Sequence, residues 1–498
     1  MEEDLRQGAG AALRLAEGAA LDEAIDTDDP ASWPAFDEGV RCGWSVPPYD
    51  GPAWERTEGG RALMRALRDG APLTGAWLAL ALCHSNGRIR GAALERAAGR
   101  PALLPLIVLR CADWARPVRE RARELLVASL DVEAAVRVAP LLLRVGGRSR
   151  GGFGVALLTD LLSGASPERA APLLTDRDRT VRRFAYRLAM ARGSLSPAEL
   201  ARAAARDDDA VVQMLCADAA LAAVDEESAP EVLRALLGAR SPRARSAGVT
   251  ALRRFGGPEG ASPDAAAGVG ERAPDFLADR SAPVRACARY VVRQHGADPL
   301  LWYRERCADP ADPALPPGAV IGLAECGQRA DADVLRPLLD HQVPGVRAKA
   351  VAGLRALDVT DVARLRRLLD DPAPGVVGEA TLSLLPSAGV LPEDWLLRRL
   401  DPERPRWVRV SACRLLHAHG DIAGLRAAVV LLGDADERLR TRAALTVRRV
   451  RVWGSASWSD PRITELLAEA DRAEADRAAA DRVEADRAQA DRAELNRA

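Results

Sequence analysis

Residues Gly147 to Gly151 read G-R-S-R-G, the spacing of an elbow that presents a serine nucleophile. Such an elbow needs a strained strand-to-helix turn, with an acid and a histidine farther along the chain. Both flanks here carry helical periodicity, so Ser149 is read as part of a turn between helices. His417, His419 and Asp421 spell H-x-H-x-D, the opening of a metal-ligand set. Ile422 stands where the next histidine is needed, and two histidines two apart near a helix end face away from each other. The five histidines form no H-E-x-x-H, and the eight cysteines form no C-x-x-C. A phosphate-binding Walker loop and a dinucleotide G-x-G-x-x-G after a strand are also missing. The reading is a chain with no catalytic residue, no metal site and no cofactor.

Two groups of residues are candidates for binding. Arg144, Arg148 and Arg150 flank the glycine-rich "LLLRVGGRSRGGFG", a loop that could hold a phosphate or carboxylate. An eroded turn of a repeat accounts for it equally well. Trp33, Phe36, Trp44, Tyr49 and Trp54 crowd a Pro/Gly-rich stretch. Disordered linkers are poor in aromatics, so this segment is expected to dock. It either caps an open hydrophobic end or offers Trp33, Trp44, Tyr49 and Trp54 to a partner as anchors.

Composition narrows the classes. Lys plus Arg (70) and Asp plus Glu (71) nearly cancel, so no global field draws the chain to nucleic acid or to an anionic membrane. Lys349 is the only lysine, and arginine is abundant together with Ala, Gly and Pro, a bias expected of a GC-rich genome. The scattered cysteines fall mostly in apolar helical runs, where a thiol acts as a small hydrophobe. With an acidic start, "MEEDLRQG", that resembles no signal peptide, they predict a reducing, cytoplasmic setting. Apolar stretches such as "PALLPLIVLRCADW" stop short of the roughly 18 residues a membrane span needs.

The elements that must position all these residues recur. "LTDRDRTVRRFAYRLAMARG" from 174, "LADRSAPVRACARYVVRQHG" from 277 and "LLDHQVPGVRAKAVAGLRAL" from 338 spell one phrase. The Val-like position of this Val-Arg step falls at Ile89, Val118, Val181, Val211, Ala244, Val284, Val346, Val376, Val408 and Leu439, with Val377 in place of the Arg after Val376. The spacing is about 31 residues, with eroded copies near 149 and 316, and a fixed period of this size marks a stacked repeat array. Each copy reads as helix, Pro/Asp-rich turn, helix. The second helix carries a buried stripe at i, i+4 and i+8, as in Val118, Ala122, Leu126 and Val376, Ala380, Leu384. One pair cannot bury its own apolar face, and neighbours must bury it.

Six residues separate Asp113 from Arg119, Asp176 from Arg182, Asp279 from Arg285, Glu403 from Arg409 and Asp434 from Arg440. This pattern resembles the HEAT repeat family, and the short period is similar to the compact HEAT-like repeats of phycobilin lyases and other bacterial proteins. The resemblance covers roughly residues 61–455. It implies an acid–arginine ladder joining successive turns, and an all-α, right-handed α-solenoid of about 11–12 hairpins. The expected organisation is an N-terminal helix (1–30), an aromatic capping segment (31–60), the repeats (61–455) and a charged Ala/Asp/Arg/Glu helix (456–498).

The expected function is a non-catalytic scaffold that binds another protein. The alternative is a nucleic-acid binder, because "RPRWVRVSACRLL" is similar to a Trp-hydrophobe-Arg helix of HEAT-like DNA alkylation-repair glycosylases, with Trp407 and Arg409 at the matching positions. Their Trp-Trp-Asp segment has no counterpart here, and nucleic acid is not the expected partner. No membrane association is expected, and the oligomeric state is left open.

Overall fold

The computed structural model describes residues 2–41, 52–255, 270–453 and 460–495. Among these every regular element is helical. The chain forms two compact units, Met1–Ala244 and Arg245–Ala498.

Within each unit the helices come in consecutive pairs. In the first unit Leu104–Arg110 precedes Arg116–Ser129, Val132–Gly146 precedes Gly152–Gly164, and Pro197–Arg206 precedes Ala210–Ala223. In the second, Val362–Leu368 precedes Pro374–Leu384, and Asp421–Leu431 precedes Glu437–Trp453. Both eroded copies are still helix pairs, since Pro299–Arg306 and Pro317–Cys326 surround the one near 316. The second helices start where the turn stops them fraying. Proline occupies the first or second position in Arg116–Ser129, Ala282–Gln294, Pro344–Ala356 and Pro374–Leu384, where its missing N–H has no partner to lose. The stripes read from the sequence are buried: Val118, Ala122 and Leu126, Val346, Ala350 and Leu354, and Val408, Ala412 and Leu416 all lie in the core.

One copy is shifted by a residue from its expected register. Val212, not Val211, is fully buried, and Gln213 behind it occupies the place of the arginine. The correction evens the spacing to the copies on either side.

The N-terminal region departs from the single helix expected over residues 1–30. Helix Glu2–Ala16 ends at a turn in which Gly18 takes a left-handed φ of 104°, and a short helix Leu21–Ala24 follows. The aromatic segment is helical over Ser32–Arg41, and this helix crosses Glu2–Ala16 at two glycines. A Cβ on Gly8 would lie 2.2 Å from the Ala35 carbonyl oxygen, and one on Gly39 would lie 2.3 Å from the Gly8 carbonyl carbon. Side chains at either position would force the helices apart.

The C-terminal helix begins at Pro461 and runs to Leu495. Ile463, Leu466 and Ala470 are buried, and Arg451 holds it by Nη2 to Asp471 Oδ1 (2.5 Å) and Nη1 to Glu474 Oε2 (3.1 Å). Among the described residues no helix is long and apolar enough to cross a membrane.

Candidate functional site

The polar machinery of this chain is concentrated in the turns, and one geometry recurs. An acid at the turn accepts the backbone N–H two residues on: Asp113 from Ala115 (2.9 Å), Asp207 from Asp209 (2.7 Å), Asp279 from Ser281 (2.7 Å), Asp371 from Ala373 (2.8 Å) and Asp434 from Asp436 (2.7 Å). Six residues after the turn position, an arginine donates Nη1 back to that position's carbonyl oxygen, as Arg182 does to Asp176 (2.9 Å) and Arg440 to Asp434 (2.7 Å). The rest of the guanidinium forks onto the carboxylate of the following copy. Arg90 grips Asp113 at 2.8 and 2.9 Å, Arg182 grips Asp207 at 2.9 and 3.0 Å, and Arg347 grips Asp371 at 2.8 Å twice. Arg245 grips Asp279 at 2.9 Å twice, and Arg409 pairs with Asp434 at 3.3 Å. A planar fork matched to a carboxylate is the strongest form of this contact.

The acid and arginine spaced six apart are therefore tied through the acid's backbone, while the carboxylates of Asp113, Asp279 and Asp434 belong to preceding arginines. Arg119 follows the rule backward, with Nη1 on the Asp113 carbonyl (2.7 Å). Arg285 binds the Asp279 carbonyl (2.6 Å) and pairs forward with Glu325, a helical rather than a turn residue. Glu403 does not take the turn position: it is exposed, its N–H goes to Asp401 Oδ1 (2.9 Å), and Arg409 Nη1 reaches the Pro402 carbonyl (2.7 Å). The turn before this helix is longer, and the acid is displaced with it.

Three substitutes keep the geometry where the letters change. His84 and His341 stand in the acid's place, each accepting at Nδ1 the N–H two residues on, from Asn86 (2.8 Å) and Val343 (3.0 Å). That leaves the ring proton on Nε2, which His341 donates to the Asp312 carbonyl (3.0 Å), while His84 Nε2 lies 3.0 Å from Glu55 Oε1. Gln213 replaces the arginine, donating to the Asp207 carbonyl (2.7 Å) and accepting from Ser241 Oγ (2.5 Å). His341→Ala should cost about 1–3 kcal/mol, because the Val343 N–H and the Asp312 carbonyl lose their partner inside the fold. Chemical denaturation of the full chain measures it, with His295→Ala, at an exposed position, as the comparison.

In the first unit the ladder thickens into a buried network. Arg110 reaches Asp37 (2.5 Å) and Asp113 (3.1 Å), and Arg41 reaches Asp37 (2.8 Å) and the Cys83 carbonyl (3.0 Å). Arg90 and Arg110 are 0% and 2% exposed, Asp37 and Asp113 3% and 5%. Burial alone would push the Asp113 carboxyl up, but hydrogen bonds from Arg90 and the Ala115 N–H, with Arg110 alongside, hold it below the usual carboxylate range. Asp279 is likewise held low by Arg245 and the Ser281 N–H against its burial, and Glu325 by Arg285 and Arg289.

These directions fix a pH response. A carboxyl whose folded pKa lies below its unfolded one contributes stability that is complete above the unfolded value, about 4, and is lost as pH falls through the folded value. The denaturation midpoint is expected to stay level from about pH 7 to about pH 5 and to fall below about pH 4. A midpoint unchanged at about pH 3 would contradict ionic rungs.

The residues singled out for chemistry are placed as follows. Trp33 and Trp54 are buried, with indole N–H groups donating to the Thr27 carbonyl (3.2 Å) and the Val40 carbonyl (2.9 Å). Both pack into the core of the first unit, and Trp33 also borders a groove there. Trp44 and Tyr49 lie outside the described residues. Arg144, Arg148 and Arg150 are exposed, but the glycines beside them serve packing: a Cβ on Gly151 would lie 1.8 Å from the Val145 carbonyl oxygen, and one on Gly146 2.4 Å from Val155. His417 Nδ1 donates to the Cys413 carbonyl (2.7 Å), and His419 Nε2 lies 3.1 Å from the Leu391 carbonyl. Burial pushes the thiols of Cys111, Cys216 and Cys307 up to about 12, far from a reactive thiolate. Arg409 is 7% exposed and tied into its rung, so it is not offered outward.

Apart from Trp407, the sequence did not single out the exposed face of the last second helices. Leu445 and Val452 are 60% and 64% exposed on Glu437–Trp453, and Trp407 is 36% exposed on Arg406–His419. Elsewhere a groove of about 980 Å³ in the first unit runs past Asp22, Trp33, Arg100, Leu104 and Arg137. No protein-family model matches the chain, and no curated protein matches it.

Proposed function

We propose that the chain is a non-catalytic interaction scaffold, a right-handed α-solenoid of HEAT-like repeats whose second helices receive another protein. The observation that carries this reading is the repeated rung. Four forward contacts, from Arg90, Arg182, Arg245 and Arg347, join copies by the same forked guanidinium-to-carboxylate geometry, and Arg285 and Arg409 make looser forward ion pairs with Glu325 and Asp434. Charged side chains engaged in this way stiffen an array, and a stacked array leaves one long, repetitive surface for recognition. In keeping with this reading, His84, His341 and the buried cysteines serve turn and packing roles. No cofactor is needed for such a role.

Site-specific photo-crosslinking tests it. A crosslinker placed at Leu382, Trp407 or Tyr290, all exposed on second helices, should yield protein adducts in cells. The same crosslinker at Leu301 or Val430, exposed on first helices, should yield few. Adducts that nuclease removes, or equal labelling of both sets, would overturn the reading.

A further inference from the structure

Helix Glu437–Trp453 contains six arginines and a single acid, Glu437. Arg440 is occupied by its own turn, and Arg451 by Asp471 and Glu474. Arg438, Arg442, Arg448 and Arg449 are exposed and make no ion pair among the described residues. Three of them fall into a pattern with the two exposed aliphatics: Arg438, Arg442, Leu445, Arg449 and Val452 are spaced 4, 3, 4 and 3 apart. That spacing draws one stripe along a helix, the stripe a second helix packs against. It is separate from the inward face, where Leu439, Ala443, Val447 and Val450 are buried.

The neighbouring second helix widens this surface. His417 Nε2 lies 3.5 Å from Thr446 Oγ1, which sets Arg406–His419 alongside Glu437–Trp453. Its outward residues Trp407, Val410 and Arg414 are spaced 3 and 4 apart, and Arg414 makes no ion pair among the described residues. The acids nearest in sequence are committed or turned aside. Asp436 is held by Arg406 (2.5 Å) and Asp434 by Arg409, while Glu437 lies off the stripe by helical spacing.

We propose that these two faces form a docking site for an acidic amphipathic helix of a partner protein, a proposal that rests on the scaffold reading. Charge complementarity names the occupant: cations without counterions call for carboxylates, and Leu445 and Val452 between them call for aliphatic side chains at the same 4-3 spacing. A nucleic acid would use the arginines and could stack on Trp407, but its bases gain little from Leu445 and Val452, which lie between and beyond the arginines of the stripe. The same helix already receives an Asp/Glu-bearing helix on its flank, where Arg451 meets Asp471 and Glu474 three residues apart. From Arg438 to Val452 the stripe is about 21 Å long, so a partner segment of about 15 residues covers it.

The test uses the full chain and a synthetic Ala-based helical peptide with Glu and Leu in the 4-3 pattern, followed by fluorescence anisotropy. Binding is expected, weakening as salt rises, and falling at least about tenfold for the combined substitution Arg438→Glu, Arg442→Glu, Arg449→Glu and for Leu445→Glu. All four positions are exposed, so an unchanged thermal midpoint certifies the fold of each variant. Three results would overturn the site: undiminished binding by the variants, equal binding of the Glu→Gln peptide, or tighter binding of a single-stranded oligonucleotide than of the peptide. Protein crosslinks at Tyr290 and Leu382 with no peptide binding here would remove this site and leave the scaffold standing. Loss of all second-helix crosslinks would remove the scaffold instead.

Discussion

Asp113→Ala is expected to destabilise the first unit by about 3–5 kcal/mol, more than any other single rung substitution. The carboxylate is the shared acceptor of Arg90 and Arg110, both out of contact with water. Removing it strands Arg90 with only the carbonyls of His84 and Ser85 (2.8 Å each) and leaves Arg110 with Asp37 alone. An uncompensated buried guanidinium costs far more than the net gain from a well-made pair, and this asymmetry sets the size of the effect. Hydrogen exchange resolves it best, because loss of protection should be confined to helices of the first unit between Gly75 and Ser129. Asp279→Ala is the comparison. Its side chain is 11% exposed and binds one arginine, so its cost should be smaller. Equal losses for the two variants would mean that the network around Asp113 adds nothing to an ordinary rung.

Trp54→Ala should cost about 3–5 kcal/mol and free the N-terminal helices from the first repeats. The ring is 2% exposed, lies edge-on to His84 at 6.0 Å between centroids, and donates to the Val40 carbonyl at the end of helix Ser32–Arg41. Truncation opens a large cavity and leaves that carbonyl without its donor. Amides over 5–16 and 32–41 should exchange sooner while those of the second unit stay protected. Trp33→Ala should cost less, since Trp33 borders the groove of about 980 Å³, where solvent can follow the missing ring. If the order were reversed, the groove side and not the Trp54 side would anchor the segment.

The helical pairs and their buried stripes were legible because a period near 31 and an i, i+4, i+8 pattern both lie on the surface of the sequence. The ladder was legible only in part. An acid and an arginine six apart are visible as letters, but the partner of each carboxylate lies 23 residues back for Asp113 and 34 back for Asp279, and nothing local marks it. His84 and His341 were hidden because they supply a lone pair where charge was the expected signal. Asp37 was hidden because its partner Arg110 belongs to a different helix pair. The stripe from Arg438 to Val452 went unread for another reason: arginines, leucine and valine alternate in it, and only burial separates its two apolar faces.

The rung also has a direction. Where a rung closes, it has a hook, the arginine, which reaches toward the C-terminus, and an eye, the carboxylate of a later copy. Copies joined this way are interchangeable links: where one is duplicated or removed within a unit, a hook still meets an eye of the same kind. The ends cannot be closed in the same way, and they differ in kind. At the leading end of the first unit the eye is His84, which needs no cation and turns to Glu55. At the trailing end of the second unit the hook is Arg440, whose Nη1 closes on the carbonyls of its own turn, Asp434 and Ala435. A chain shortened from its front would begin with an orphaned anion, and one shortened from its back would finish with an orphaned cation.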